Sequence, residues 1–188
     1  MAAASELIAE SGDASQLTLR GLARRVGIAA PSIYRHFPDV EHLKLAVVDR
    51  SFAEFAGARD AASRRGTEPA EALLAGCRAY CRFALEHPGP YRFMLSHRAP
   101  AQGRQSPAGA GAFQVLTAAI RRCQEAGVAG AGDQPALLAA QVWAALHGLV
   151  LLRMNLPDFP WPASLEDMAD QAVSRLVVLD RTHQGARR

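Results

Sequence analysis

The sequence predicts an all-α protein with an N-terminal three-helix helix-turn-helix domain and a larger C-terminal helical domain. Alanine, leucine and arginine dominate the composition and 49% of the residues are hydrophobic, a mixture that favours helix over strand. Apolar residues recur at helical spacing along most of the chain, and glycine or proline separates these periodic segments. With 188 residues, the chain is long enough for a small domain and a larger one.

Positive charge is concentrated in one short segment near the N-terminus. The net charge of the chain is only +3, which does not by itself indicate a nucleic-acid partner. Residues 18–37 contain Arg20, Arg24, Arg25 and Arg35 and no acidic residue, whereas the rest of the first fifty residues is net acidic. A local basic patch suits phosphate binding, because neutralising phosphates releases counterions.

Cysteine use and the N-terminal pattern favour the cytoplasm. The chain has three cysteines, and an odd number is not typical of a disulfide framework, so we expect a reducing compartment. Polar and acidic residues interrupt the N-terminus, which therefore does not resemble a signal peptide. The longest apolar run, Ala144 to Leu152, contains His147 and is too short to span a bilayer. We expect a cytoplasmic protein with no membrane partner.

Three short helices are predicted in the first forty residues. Residues 3–11 carry apolar side chains at helical spacing. Thr18 stands where an N-cap is expected, ahead of an amphipathic helix that Gly27 ends. Pro31 falls in the first turn of a third helix, where proline is tolerated, and this helix ends at Phe37.

The second and third of these helices have the pattern of a helix-turn-helix. Helices that cross steeply through a tight turn need small residues where their backbones approach, and Ala23 and Gly27 meet that need. The apolar faces that hold the pair together are assigned to Leu22, Val26, Ile28, Ile33 and Phe37. The open alternative is a hairpin that packs in a core, with its arginines as a solvated face.

DNA contacts are predicted along the third helix, because the second helix of such a motif presents its N-terminal half to a major groove. Small residues let the backbone approach DNA, and the polar residues after them supply donors for base edges or phosphates. Backbone amides where the preceding helix starts can meet a phosphate. The small residues are Ala29, Ala30, Pro31 and Ser32, the donors are Tyr34, Arg35 and His36, and the helix start is at Thr18.

Residues 17–39, LTLRGLARRVGIAAPSIYRHFPD, resemble the signature of the TetR family of transcription regulators. The order Thr, Ala, Gly-Ile and Ser-Ile-Tyr-x-His-Phe matches at nearly every defining position, and the resemblance covers about the first fifty residues. The resemblance implies that Thr18, Ser32, Tyr34 and His36 lie on DNA. We accordingly expect a regulator and not an enzyme.

The chain departs from the family pattern in three places. At the position of Val40 the family usually has a lysine that binds a phosphate, and Lys44, one turn later, could substitute for it. A serine commonly caps the recognition helix where Ala29 stands. The chain also begins inside the expected first helix, so we expect a missing upstream segment. The predicted DNA-binding residues are Thr18, Arg20, Ala29, Ala30, Pro31, Ser32, Tyr34, Arg35, His36 and Lys44.

A domain boundary is predicted after a long helix that runs from Val40 to about Ala58. The stretch from Ala58 to Pro69 is small and polar, as expected of a boundary. We predict a DNA-binding domain with its connecting helix over 1–58 and a helical effector and dimerisation domain over 59–188. Further helices are predicted at 69–87, 91–96, 111–126, 135–155 and 164–181, and a mobile loop at 99–111.

A ligand pocket is predicted in the C-terminal domain. Trp143-Ala-Ala-Leu-His147-Gly148 is similar to the Trp-x-x-x-His-Gly pattern of one branch of TetR-type effector domains, and Trp143 and His147 share a helix face. The alternative is a packed tryptophan and a core histidine. Other aromatic or adaptable side chains could enclose a hydrophobic small molecule or simply form core. The predicted ligand-binding residues are Tyr80, Phe83, Phe93, Met94, Trp143 and His147.

Metal, catalytic and cofactor sites are not predicted. Cys77 and Cys81 are four residues apart, with His87 beyond, but a full set of metal ligands is not visible. Two buried cysteines that act as small hydrophobic residues are the favoured alternative. The spacing of residues reveals neither a nucleophilic triad nor a glycine-rich phosphate loop.

The last two predicted helices carry more apolar surface than one monomer can bury. The resemblance implies that the helices near 135–155 and 164–181 pair with their mates as a four-helix bundle in a homodimer. The predicted function is a dimeric regulator, usually a repressor, that binds an inverted-repeat, double-stranded operator and is released by a hydrophobic small molecule. The alternative is a helical small-molecule-binding protein or enzyme whose N-terminal hairpin no longer binds DNA.

Overall fold

The computed structural model describes residues 3–4, 6–7, 17–64, 66, 68–96, 107–130 and 133–178. Every helix or strand within these ranges is an α-helix, which confirms the predicted fold class. Ala3, Ala4, Glu6 and Leu7 are also helical, and the remainder of the predicted first helix lies outside the described residues. The helices are α1 (Leu19–Arg25), α2 (Ala30–Tyr34), α3 (Val40–Ser63), α4 (Pro69–Glu86), α5 (Pro88–Ser96), α6 (Pro107–Glu125), α7 (Pro135–Asn155) and α8 (Leu165–Leu176).

The chain divides into two compact units. The first comprises Met1–Glu54 and Glu86–Ala110, and the second comprises Phe55–Leu85 and Gly111–Arg188. Helix α3 supplies residues to both units, because the division falls between Glu54 and Phe55.

The core of the first unit is built from the inward faces of four helices. Ser51 on α3 is also buried, and its hydroxyl donates a hydrogen bond to the carbonyl of Val47 at 3.0 Å, which satisfies the polar group within the helix. A Cβ placed on Gly109 would lie 3.1 Å from Cζ of Phe52, so α6 begins close to that ring. The buried apolar residues are Leu19, Leu22, Ala23, Ile33, Leu43, Val47, Val48, Tyr91, Phe93 and Met94.

Two residues assigned to the apolar faces of the helix-turn-helix are exposed. Val26 and Ile28 are 44% and 43% exposed, whereas Leu22 and Ile33 are buried as predicted. Val26 is the C-cap of α1, and Ile28 follows Gly27, which has a φ of +70°. The chain therefore leaves the helix before these positions, and the 3.6-residue spacing no longer sets the direction of their side chains.

The core of the second unit lies between α4, α6, α7 and α8. Helices α7 and α8 pack against each other. Three cysteines and the aromatic side chains of α4 are part of this core. Its buried residues include Leu73, Leu74, Cys77, Tyr80, Cys81 and Phe83 on α4, Ile120 and Cys123 on α6, Leu138, Val142, Leu146 and Val150 on α7, and Leu165, Ala169 and Val173 on α8.

Three helices are longer than the sequence pattern predicted. Helix α3 continues to Ser63 because its final residues include three alanines, the strongest helix formers. Helices α5 and α6 begin at Pro88 and Pro107, earlier than 91 and 111, because proline is accepted in the first turn of a helix. Most of the predicted mobile loop, up to residue 106, lies outside the described residues.

The connection from α7 to α8 is held by one arginine and one tryptophan, which we call the Arg153–Trp161 brace. The Arg153 guanidinium lies 4.8 Å from the centre of the Trp161 ring and donates to the carbonyl of Ala163 at 2.8 Å. Trp161 Nε1 donates to the carbonyl of Leu156 at 3.1 Å. Cation–π attraction and two side-chain hydrogen bonds therefore order this connection.

Within the described part of the chain, one helix is long and apolar enough to cross a membrane by length and composition alone. This helix is α7, which extends well beyond the apolar run from Ala144 to Leu152. Core helices of water-soluble proteins meet the same criterion. Only 28% of its most apolar 18-residue window is buried inside the protein, so α7 has a large exposed apolar surface.

Candidate functional site

Thr18 fixes the start of α1, as the sequence predicted. Its backbone is extended, with φ −129° and ψ 150°, and its hydroxyl oxygen accepts a hydrogen bond from the Gly21 amide at 3.0 Å. A Cβ on Gly21 would lie 2.9 Å from that oxygen, so glycine leaves room for the cap. One of the free amides at the start of the helix is thereby satisfied.

Helix α2 is short and begins without a side-chain cap. Ala29 is its N-cap residue and makes no side-chain hydrogen bond, which agrees with the weakened cap expected from the sequence. Pro31 lies in the first turn, where its missing amide hydrogen costs nothing. Gly27 makes the preceding turn with a positive φ, which glycine adopts without steric strain.

Four residues of α2 and the turn after it form an outward surface, which we call the recognition surface: Ser32, Tyr34, Arg35 and His36. Ile33 is buried and anchors the helix, while Tyr34, Arg35 and His36 are exposed and Ser32 is half-buried. The amide of His36 donates to the carbonyl of Ile33 at 3.0 Å, which extends the last turn. One buried residue thus holds a surface of hydrogen-bonding side chains toward solvent.

The arginines of the helix-turn-helix segment are exposed. Arg20 and Arg24 on α1 are exposed, as is Arg35. Arg25 is also exposed and lies 3.6 Å from Glu6. An exposed ion pair of this length contributes little and is easily exchanged for a phosphate.

The start of α3 carries a second polar group of residues. Asp39 caps this helix, because its Oδ1 accepts from the His42 amide and lies near His42 Nδ1, both at 2.9 Å. The contact with the His42 side chain holds the pKa of Asp39 below its ordinary value. Lys44 Nζ donates to Glu41 at 2.8 Å, and its side chain is only 18% exposed. A phosphate would have to compete with Glu41 for this ammonium.

Two of the predicted ligand-binding residues surround Phe55 in the second unit. Tyr80 lies edge-on to Phe55 at 5.6 Å between ring centres, and Phe83 lies at 5.7 Å. The Arg59 guanidinium lies 5.6 Å from the centre of the same Phe55 ring. Neither Phe55 nor Arg59 was predicted for this cluster, because α3 was expected to end near residue 58 and to serve the N-terminal domain.

The other predicted ligand-binding residues lie in two places. Trp143 is exposed on α7 and is 6.3 Å from Phe113 on α6, between ring centres. His147, one turn further along α7, is half-buried, and burial lowers its pKa. Phe93 and Met94 are buried on α5 and belong to the first unit.

The cysteines have the character of core residues. Cys77, Cys81 and Cys123 are free and buried, and burial raises the pKa of each thiol. His87 is exposed. Across the ranges that the structure describes, no group of three or more histidine, cysteine or acidic residues could hold a metal ion. Burial with a raised pKa is the behaviour expected of Cys77 and Cys81 as small hydrophobic residues.

Two family models match the sequence. One, described as bacterial regulatory proteins of the tetR family, matches residues 1–47, and the other, described as the tetracyclin repressor-like C-terminal domain, matches residues 73–176. An uncharacterized helix-turn-helix-type transcriptional regulator from Mycobacterium tuberculosis is 30% identical over 155 residues, which are 81% of this chain and 68% of that protein.

Solved structures share the fold. The TetR family transcriptional regulator PfmR from Thermus thermophilus is similar with a TM-score of 0.68 and 22% identity, over 98% of this chain and 97% of that chain. AibR in complex with isovaleryl coenzyme A and operator DNA is similar with a TM-score of 0.65 and 18% identity, over 94% of this chain and 95% of that chain. At these identities the likeness concerns the fold.

Proposed function

The chain belongs to the TetR family of bacterial regulatory proteins, and we propose that it represses transcription as a homodimer on an inverted-repeat operator. In this proposal residues 1–58 contact DNA, and residues 59–188 provide dimerisation and the effector site. The observation that carries the proposal is the recognition surface, where Ile33 is buried and Tyr34, Arg35 and His36 are exposed.

The recognition surface has the side chains that sequence recognition in a major groove requires. Tyr34, Arg35 and His36 offer donors to base edges, and Ser32 is small enough to let the backbone come close. Arg20 and the start of α1 at Thr18 are suited to phosphate contacts, which set the register of the protein on the duplex. Ala29, Ala30 and Pro31 complete the small surface at the start of α2.

Lys44 is the proposed contact that needs a rearrangement. Its ammonium is bonded to Glu41 in the free protein, so binding of a phosphate would replace one anionic partner by another. Such an exchange costs little net free energy because the ion pair is only partly buried. Val40 occupies the position where the family usually has a lysine, and this departure favours the alternative of a protein that has lost DNA binding.

A homodimer is supported by the exposed apolar surface of α7. Leu137 and Leu152 are 54% and 49% exposed, and pairing of α7 and α8 with their mates would remove them from water. Burial of apolar surface is the main driving force for such association. Two copies of α2, about 34–36 Å apart, would then meet successive major-groove faces of an inverted repeat.

The proposed effector is a mainly hydrophobic small molecule. Its site would draw on side chains of the second unit, with Trp143 and His147 of the Trp-x-x-x-His-Gly pattern on α7 and Tyr80 and Phe83 on α4. AibR shows that a protein of this fold holds both isovaleryl coenzyme A and operator DNA. The dimer leaves DNA if the effector binds more tightly to an arrangement in which the two DNA-binding domains are out of register with the operator. Helix α3 is the element that continues from each DNA-binding domain.

Binding to DNA selected by the purified protein tests the proposal. Tyr34→Ala and His36→Ala should each weaken specific binding about 10-fold or more, in line with the loss of one base contact. Both side chains are exposed, so the helical circular dichroism signal and the unfolding midpoint should not change. His87→Ala removes an exposed histidine outside the motif and should bind like the wild type.

Two results would contradict the proposal. The first is a wild-type protein that shows no salt-dependent binding to any selected duplex, which would favour the alternative of a helical small-molecule-binding protein. The second is unfolding of the Tyr34→Ala and His36→Ala variants, which would place those side chains in a core.

A further inference from the structure

Helix α7 presents an exposed stripe along one side, formed by Leu137, Gln141, Ala144, Gly148 and Leu152. These positions are spaced by three or four residues, so they share one face of the helix. All are exposed except Gly148, which is partly covered. A Cβ built on Gly148 would meet no atom within 4 Å, so the face is open at that point in the single chain.

The stripe carries no charge. The sequence has no acidic or basic residue between Asp133 and Arg153 except His147, and Arg153 is engaged with Trp161 and the carbonyl of Ala163. A symmetric interface places each residue of a surface opposite the same surface of the other copy. The stripes of two copies can therefore pack together without bringing like charges close to each other. A charged partner protein would find no opposite charge on the stripe.

The sizes of the side chains vary along the stripe in a way that suits a two-fold axis. The residues nearest the middle, Ala144 and Gly148, are small, and the leucines at positions 137 and 152 are large. Where two copies of one helix cross, each residue at the crossing faces its own equivalent, and small residues let the two backbones approach. The leucines on either side can then pack across the contact.

The exposed apolar stripe can supply part of the area that a dimer needs. The stripe spans 15 residue steps, or about 22 Å, and is about 10 Å wide, so α7 contributes roughly 200 Å² of footprint. Leu156 and Phe159, both about half exposed, extend the apolar surface beyond the helix. A stable interface buries roughly 800 Å² per partner, so the stripe would be one part of a larger contact in the dimer.

We propose that α7 crosses the α7 of a second copy of this chain at Ala144 and Gly148, so that these two residues lie at the two-fold axis. The inference rests on the homodimer of the proposed function and adds where its axis passes. Leu137 and Leu152 pack on either side of the crossing. Any side chain larger than alanine at position 148 then separates the two helices.

Gly148→Leu tests the crossing, with Gly57→Leu as its matched control. Gly57 lies in α3, and a Cβ there also meets nothing within 4 Å, so both variants make the same change at an open helical glycine. Leucine is the better helix former at both positions, and helical circular dichroism should be retained. Sedimentation equilibrium should show the dimer dissociation constant raised about 100-fold or more for Gly148→Leu and unchanged for Gly57→Leu.

Oxidative cross-linking provides a positive test. The three natural cysteines are buried, so a cysteine introduced on the stripe is the accessible thiol. Gly148→Cys should give a disulfide-linked dimer, because two residues at the axis can bring their Cα atoms within about 7 Å. Leu137→Cys, about 16 Å along the helix from Gly148, should remain uncross-linked.

The possible results distinguish an error in the proposed crossing point from an error in the proposed homodimer. A Gly148→Leu protein that dimerises as tightly as the wild type, or cross-linking of Leu137→Cys in preference to Gly148→Cys, would overturn the crossing and leave the homodimer intact. A wild-type protein that is monomeric at micromolar concentration and on DNA would overturn both.

Discussion

Arg78 on α4 donates to both carboxylate oxygens of Asp170 on α8, from Nε to Oδ1 at 2.9 Å and to Oδ2 at 3.1 Å, and from Nη2 to Oδ2 at 2.7 Å. Its Nη1 donates to Glu71 at 3.0 Å. The hydrogen bonds to Asp170 are the largest cause of the raised pKa of Arg78. One turn away along both helices, Arg82 lies 3.4 Å from Glu166. Two pairs of opposite charge therefore connect α4 with α8, and the first is a two-point contact.

Asp170→Ala should lower the free energy of unfolding by about 1–2 kcal/mol, because a two-point, charge-assisted contact is lost. The side chains of Arg78 and Asp170 are 27% and 23% exposed, so solvent screens the pair only in part. Glu166→Ala is the matched control on the same helix, since Arg82 and Glu166 are about half exposed, and it should cost less than about 0.5 kcal/mol. Chemical denaturation at one protein concentration measures both, and equal losses would contradict the prediction.

Thr18→Ala should destabilise the protein by about 1 kcal/mol and weaken DNA binding, because the substitution removes a cap that typically contributes this much. The hydroxyl that is lost accepts from the Gly21 amide. Thr18→Ser keeps the hydroxyl and should retain most of the stability. Thermal unfolding and DNA titration measure the two effects, and a serine variant as unstable as the alanine variant would show that the cap is not the cause.

The contribution of Asp39 to stability should disappear at low pH. The pKa of Asp39 lies below its ordinary value of 3.8 because the carboxylate interacts with His42. A carboxylate with a lowered pKa in the folded state stabilises the protein above its unfolded pKa, and this contribution is lost as the pH falls through the folded pKa. The difference in unfolding free energy between the wild type and Asp39→Ala should therefore shrink below about pH 4. A difference that stays constant from about pH 5 to about pH 2 would contradict this.

The three thiols should be unreactive in the folded protein. Burial raises the pKa of Cys81 to about 12 and that of Cys123 to about 11, and it also raises the pKa of Cys77. Since the thiolate is the reactive form, labelling by Ellman's reagent at about pH 8 should require unfolding. Rapid labelling of a folded sample would contradict the burial.

The same pKa shifts predict an effect of alkaline pH on stability. Folding raises the pKa of these thiols above the ordinary value of 9.0, so the unfolded chain loses the proton first as the pH rises, and ionisation above that pH favours the unfolded state. Ionisation of the exposed thiol therefore draws the equilibrium toward unfolding. Stability should fall above about pH 9, and Cys123→Ala should reduce the steepness of that fall in denaturation measurements.

Local signals in the sequence predicted the helix-turn-helix and α7 closely. Thr18, Gly27 and Pro31 each act through their own backbone or the next few residues, so their positions alone indicate where helices begin and end. Helix α7 was predicted at 135–155, as observed, because Pro135 opens it and its apolar sequence is unbroken. Such features require no knowledge of what packs against the helix.

Contacts between distant parts of the chain could not be predicted in this way. Arg78 and Asp170 are 92 residues apart, and nothing in the spacing around either residue identifies its partner. Val26 and Ile28 are apolar at helical spacing but are exposed, because the turn at Gly27 redirects the backbone. Phe55 was missed beside Tyr80 because their contact also joins separate helices.

The Arg153–Trp161 brace gives the protein an intrinsic fluorescence probe of the α7–α8 connection. The chain has two tryptophans. Trp161 is fixed under a guanidinium in the α7–α8 connection, while Trp143 is exposed on α7 beside Phe113. Replacing either with phenylalanine isolates the fluorescence of the other. Emission from Trp143 then follows events on α7 without any dye, and emission from Trp161 reports whether the connection to α8 has kept its shape.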